Sequence, residues 1–171
     1  MRSLRLPRLA ATALFLLALA APGSAGAVQW KHWNEGMEAA KRSGKPVLVD
    51  VYTDWCGWCR RMDADVYTRR DVGDYLESHF VTIRLNAESN ESVSWLGQAR
   101  TARALSNTLG VSGYPTTVFF TSDAEKLANA PGYIPADRFL LLLRYVGDGA
   151  MAKGTSFDDF VKQSKGEKPN P

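Results

Sequence analysis

The chain has 171 residues, room for one domain of ordinary size, and its 45% hydrophobic and 23% charged residues exclude an intrinsically disordered chain. Three of its 21 basic residues lie in the first 27, where there is no acid, so the remaining basic residues equal the 18 acidic ones in number. The net charge of +3 therefore belongs to that first segment, and no basic field is left to attract nucleic acid or an acidic membrane surface.

Arg2, Arg5 and Arg8 open the chain, an apolar run follows from Ala10 to Ala21, and Ala25-Gly26-Ala27 offers a small-x-small cleavage site. This is the three-part pattern of a secretory signal peptide over 1–27, cut after Ala27. The apolar run stops at Pro22-Gly23, well short of the ~20 residues that span a bilayer. The expectation is an exported, periplasmic protein with no membrane insertion after cleavage, its cysteines in an oxidising compartment.

Trp33, Met37 and Ala40 fall at helical spacing, with Asn34 as N-cap and Gly44-Lys45-Pro46 as the stop. VLVDVY, Val47 to Tyr52, is apolar on both faces except for Asp50 and predicts a central buried strand. The only two cysteines, Cys56 and Cys59, follow in DWCGWCR, and RRMDADVY behind them predicts a helix with Met62 and Val66 one turn apart. Phe80 to Asn86 predicts a second strand, and the polar stretch 87–98 a surface insertion ahead of a helix through Ala104, Leu105 and Leu109. A turn over 110–115 feeds the strand TTVFF; a weaker strand near Lys126 to Ala130 and a helix from Asp137 to Val146 complete the body. Ser156 with Asp159 has the spacing of a capping box, and Phe157, Phe160 and Val161 would dock the short helix behind it, ahead of a frayed tail. Helices interleaved with strands predict an α/β fold on a mixed sheet. The expected organisation is a signal peptide at 1–27, a domain at 28–150 and a helical extension at 151–171.

Four readings compete for the cysteine pair. A c-type haem needs His after the second Cys, and Arg60 stands there. Structural zinc needs four ligands, and only His32 and His79 could join, without ligand spacing. A structural staple closing so short a loop removes little entropy from the unfolded chain. The fourth reading is a dithiol redox centre. A strand ending near Trp55 and a helix starting near Cys56 place the first sulfur beside unpaired backbone N–H groups, which favour thiolate and make Cys56 the nucleophile. Cys59, one turn on and more buried, can resolve a mixed disulfide. Arg60 and Arg61 either favour the thiolate further or are simply solvated helix residues.

Asp50 sharpens this reading. A carboxylate inside VLVDVY is costly to bury ionised, so its pKa should rise, and it could take the proton of Cys59. The alternative is a buried acid satisfied by a neighbouring Lys or by water. Arg84 in the adjacent strand is a possible partner, expected to face the surface. Trp55 and Trp58 bracket Cys56 and either form a docking platform for a protein partner or cover the site; Trp30, Trp33 and Trp95 are expected to pack.

VLVDVYTDWCGWCRRM resembles the active-site segment of the thioredoxin family, and RLN at 84–86 and GVSGYPTTVFF at 110–120 come next in the family's order. The resemblance covers Trp30 to Val146. It implies a thioredoxin fold, a cis bond before Pro115 facing the CxxC, and a Tyr114 backbone that pairs with a bound substrate. Gly132 stands where the family has a glycine. The chain is similar to the C-terminal domain of the Dsb-type transmembrane reductant carrier and to the periplasmic thioredoxins of sulfur oxidation, which by family analogy are reductases. It departs from the family in Gly57-Trp58 between the cysteines, where thioredoxin has Gly-Pro, and in Tyr114, where an aliphatic residue is usual.

The resulting expectation is an exported thiol–disulfide oxidoreductase with catalytic Cys56, Cys59 and Asp50, and substrate contacts at Trp55, Gly57, Trp58, Tyr114 and Pro115. No metal or organic cofactor is implied beyond the Cys56–Cys59 couple. Protein disulfides are the expected substrates and a membrane electron donor the expected partner. No dimerisation segment is visible, so a monomer is expected. The alternatives are a disulfide oxidase or isomerase, and a client-binding module that keeps the fold without catalysis.

Overall fold

A computed structural model describes residues 28–166. The expected signal peptide and the tail beyond Gly166 lie outside the described residues.

Helix α1 (Trp33–Ser43) begins two residues earlier than the Asn34 cap predicts, with His32 at the N-cap position and no side-chain cap. The Asn34 amide is engaged elsewhere: it donates to Ser92 O at 3.1 Å and accepts from Ser94 N at 2.9 Å. Two bonds to backbone outweigh one capping bond. The helix stops at Gly44, whose φ of 71° is the left-handed conformation that glycine adopts without a Cβ penalty.

Strand β1 (Val47–Tyr52) is the buried centre that its composition predicts. It pairs parallel with β2 (Val81–Asn86) and antiparallel with β5 (Thr116–Phe120), which pairs antiparallel with β6 (Lys126–Pro131). The sheet order is β2-β1-β5-β6, mixed as expected. Val47, Val49 and Val51 face one layer, formed by α1, by α4 (Ala102–Thr108), and by a small hairpin of β3 (Ser92–Trp95) and β4 (Gln98–Thr101). Leu48 and Phe119 face the other layer. Helices α2 (Gly57–Met62), α3 (Arg70–His79) and α5 (Ala136–Gly147) cover that side. Asp50 follows Leu48 by strand alternation and points into the same layer.

Three features differ from the sequence reading. The helix read through RRMDADVY splits into α2 and a π-helical turn at Asp63–Tyr67. Helix α3 comes next, unread in the sequence, carrying Val72 and Leu76 inward one turn apart. The insertion at 87–98 is largely the β3–β4 hairpin, whose buried Val93 is masked by polar neighbours.

At the far end, α6 (Phe157–Gly166) starts as its capping signal predicts: Asp159 N donates to Ser156 Oγ at 3.1 Å. Phe157 and Phe160 lie against Tyr145 of α5 with ring centroids 5.3 and 5.6 Å away. Among the described residues no helix is long and apolar enough to cross a membrane.

Candidate active site

Strand β1 ends at Tyr52, as the VLVDVY run predicts, and the CxxC follows through a turn at 53–55, so the strand does not run on to Trp55. Cys56 is the N-cap of α2 and is closed in a disulfide with Cys59. The Cys59 N–H donates to Cys56 Sγ at 3.0 Å. The first sulfur thus sits where a helix start supplies donors and positive dipole, which favours thiolate once the bond opens. The expected difference in burial is absent, with Cys56 3% and Cys59 4% exposed. Closure of the disulfide draws both sulfurs under the same cover.

The flanks of the pair are aromatic and open. Trp55 and Trp58 are 64% and 60% exposed, so neither is core packing. Trp55 meets Tyr114 edge-on at 6.0 Å, and its Nε1 donates to Glu88 Oε2 at 3.0 Å. Trp58 leans on Tyr133 at 5.6 Å. Gly57 is exposed between them, and a Cβ there would meet only the Arg60 side chain, at 3.8 Å. The Tyr114–Pro115 bond is cis. Gly132 N donates to Pro115 O at 2.8 Å, tying the loop that bears Tyr133 to the loop that bears Tyr114. Three segments far apart in sequence thus converge round one disulfide.

Asp50 is 1% exposed beneath this surface. Burial pushes its carboxyl up from 3.8 to about 6, with Arg84 acting in the opposite sense. Arg84 does not face the surface as expected. It stands opposite Asp50 in the parallel register and donates from Nε to Asp50 Oδ2 at 3.1 Å. The physical reason is the second acid: Asp63, on the π turn, receives Arg84 Nη2 at 2.6 and 2.8 Å and draws the guanidinium over the sheet. The rings of Trp30 and Tyr52 lie 5.2 and 4.8 Å from its centre. Arg60 and Arg61 are exposed and turned to other partners, Arg60 to Asp54 O at 3.2 Å and Arg61 to Asp65 at 2.8 Å. They fit the reading as solvated helix residues.

Asp63, Tyr133 and Glu88 are site neighbours that sequence reasoning missed. Asp63 had a signal, four residues after Cys59 on the same helical stretch. Tyr133 and Glu88 had none, because each reaches the site only through the tertiary fold. Among the described residues no group of three or more His, Cys, Asp or Glu side chains converges as a metal site.

A family profile of the thioredoxin-like domain matches residues 33–147. The chain belongs to the thioredoxin-like domain family. A thioredoxin from Thermus thermophilus is 25% identical and superposes with a TM-score of 0.61 over 75% of this chain and 93% of its own. A thioredoxin-fold protein from Helicobacter pylori, 22% identical, reaches a TM-score of 0.64 over 72% of this chain and 82% of its own, a likeness of fold. The thiol:disulfide interchange protein DsbD of Ralstonia nicotianae is 29% identical over 121 residues, 70% of this chain. The chain spans 18% of that relative's length. On a thioredoxin-like domain, a closed CxxC disulfide indicates thiol:disulfide oxidoreductase chemistry.

Proposed function

We propose that this thioredoxin-like protein is an exported reductase of protein disulfides. The observation that carries the reading is Cys56 at the start of α2, its sulfur receiving the Cys59 N–H, in a chain that also buries Asp50 in the strand leading to it. In the reduced protein, the Cys56 thiolate attacks one sulfur of a substrate disulfide. A mixed disulfide forms and the first substrate thiolate leaves. Cys59 then gives its proton to the Asp50 carboxylate and attacks Cys56 Sγ. The second substrate thiolate leaves and the Cys56–Cys59 bond closes, so two electrons have passed to the substrate. Trp55, Gly57, Trp58, Tyr114 and Pro115 form the contact surface, with the Tyr114 backbone pairing with the substrate as a short strand.

The reductase direction and the export rest on the resemblance to exported reductases and on the 1–27 segment. A reductase in an oxidising compartment must be recharged, which calls for a membrane electron donor. The domain is taken as 28–150, with 151–171 as an appended helix, working as a monomer.

The test is a set of three measurements on the mature chain. Cys56→Ser should abolish reduction of insulin disulfides; unchanged turnover sinks the reading. Cys59→Ser should accumulate mixed disulfides through Cys56, whereas a client-binding module would hold partners that survive reducing agent. A reduction potential near about −270 mV supports an electron donor, and one near about −120 mV reverses the direction to disulfide donation.

A further inference from the structure

The turn behind the CxxC helix is π-helical, and it aims two side chains at the buried acid. A π turn inserts an extra residue into the helical repeat, so the residues after it are rotated relative to a continuing α-helix. Asp63 opens this turn and takes Arg84; Tyr67 closes it and points inward. Tyr67 is 4% exposed, with its ring edge-on to Trp30 at 4.9 Å and to Phe139 at 5.7 Å. Those two contacts fix the ring without using its hydroxyl.

The hydroxyl of Tyr67 is buried and makes no hydrogen bond of good geometry, and the same is true of Asp50 Oδ1, the carboxyl oxygen that Arg84 leaves free. Both groups belong to the same layer of the fold. A buried phenol donor and a buried carboxylate acceptor left apart would each carry a desolvation cost. The two already act on each other electrostatically. Tyr67 favours the ionised form of Asp50 against the larger effect of burial, and the Asp50 charge adds to the burial that pushes the Tyr67 phenol up.

We propose that the Tyr67 hydroxyl donates to Asp50 Oδ1 when Asp50 is ionised, making Tyr67 a positioning residue for the proton acceptor of the exchange reaction. The carboxylate is then held at both oxygens, by Arg84 at Oδ2 and by Tyr67 at Oδ1, and keeps lone pairs free for the Cys59 proton. Without the hydroxyl, Asp50 would hold its proton to higher pH, and a smaller fraction of it would be ionised and able to take the Cys59 proton. The inference deepens the reductase reading and rests on it for the role of Asp50, while the contact itself does not depend on activity.

The other groups facing Asp50 are Arg84 from β2, Asp63 from the π turn and Tyr52 from β1 itself, with the uncharged Thr117 paired to it from β5. All of them remain in Tyr67→Phe, which also keeps the ring contacts to Trp30 and Phe139. The measurement is the carboxyl carbon NMR titration of Asp50 in the reduced mature chain, wild type against Tyr67→Phe. The midpoint should rise by roughly 1 unit, the loss of one hydrogen bond to a charged group. Mixed-disulfide resolution should slow by roughly 10-fold below about pH 5, where Asp50 is mostly protonated in both chains, and by only about twofold at pH 7, its pH profile displaced by the same unit. Adding Tyr67→Phe to Asp50→Asn should change nothing further. An unmoved Asp50 midpoint overturns the inference, and would mean that Tyr67 serves Thr117 instead. Should Tyr67→Phe fail to fold, the Tyr67 ring Cζ resonance of the unmutated chain must bend at the Asp50 midpoint, and a flat trace overturns the inference equally. A displaced midpoint in a chain that reduces no disulfide leaves the Tyr67–Asp50 contact standing and overturns the reductase reading instead.

Discussion

Arg84 holds two acids with different grips: a single bond from Nε to Asp50 at 3.1 Å, and Nη2 between both oxygens of Asp63 at 2.6 and 2.8 Å. The stronger grip goes to the half-buried acid and the weaker to the fully buried one. Asp50 is therefore tethered without being fully neutralised, and its carboxyl stays above the ordinary carboxylate range. A tightly paired Asp50 would be ionised at every working pH and would accept protons poorly.

Asp50→Asn tests this in stability. Burial raises the carboxyl from 3.8 to about 6, so the fold binds that proton more tightly than the unfolded chain does. The associated stability is present below 3.8 and is lost as pH rises through about 6. A shift of about two units corresponds to roughly 3 kcal/mol. The stability of Asp50→Asn relative to wild type should therefore grow by roughly that amount from acid to mildly alkaline pH, in urea denaturation of the oxidised protein. Parallel pH curves for the two proteins would contradict the raised value.

Arg84→Gln removes the cation shared by both acids. Breaking one side of a buried pair costs roughly 3 kcal/mol, and Arg84 is only 27% exposed, so little of this is screened away. Asp50 should then titrate above its wild-type value, moving the rising limb of the resolution rate to higher pH. Denaturation that detects a loss below roughly 1 kcal/mol would place Arg84 among ordinary surface ion pairs.

Trp58→Ala and Trp55→Ala should separate binding from chemistry. Both side chains are mostly in solvent, so folding stability should change by less than about 0.5 kcal/mol. Reduction of a protein disulfide should fall by roughly 10-fold, the size expected for an aromatic contact residue, while exchange with a small dithiol stays near wild type. Equal losses on both substrates would assign the tryptophans to cover of the disulfide.

Gly36→Ala tests how α1 is seated. A methyl there would run into the Ile83 side chain of β2, at a point where helix and strand approach closely. Overpacking of this kind costs roughly 1–3 kcal/mol. Thermal unfolding should show it, and an unchanged midpoint would mean that Ile83 yields freely.

Much of the fold is legible locally. A run such as VLVDVY can be stable only in the middle of a sheet, and β1 lies between β2 and β5. Ser156 and Asp159 announce a helix start through contacts three residues apart, and that start forms. Helix α3 and the β3–β4 hairpin were harder to see, because their buried residues are few and set among polar ones that serve the solvent side.

The chemistry is legible along the chain: two cysteines at CxxC spacing, an acid inside an apolar strand, and the segments that resemble thioredoxin. Those signals are short-range, carried by spacing and by the cost of burying a charge. What surrounds them depends on contacts made in three dimensions. Arg84 turns inward because Asp63, 21 residues earlier, reaches it from the π turn. Tyr114 and Tyr133 meet Trp55 and Trp58 because β5 and the loop after β6 close on the same end of the sheet. An arginine in a strand reads as solvent-facing until its partners across the sheet are known, since electrostatic pairing depends on distance in space and leaves no mark in local sequence.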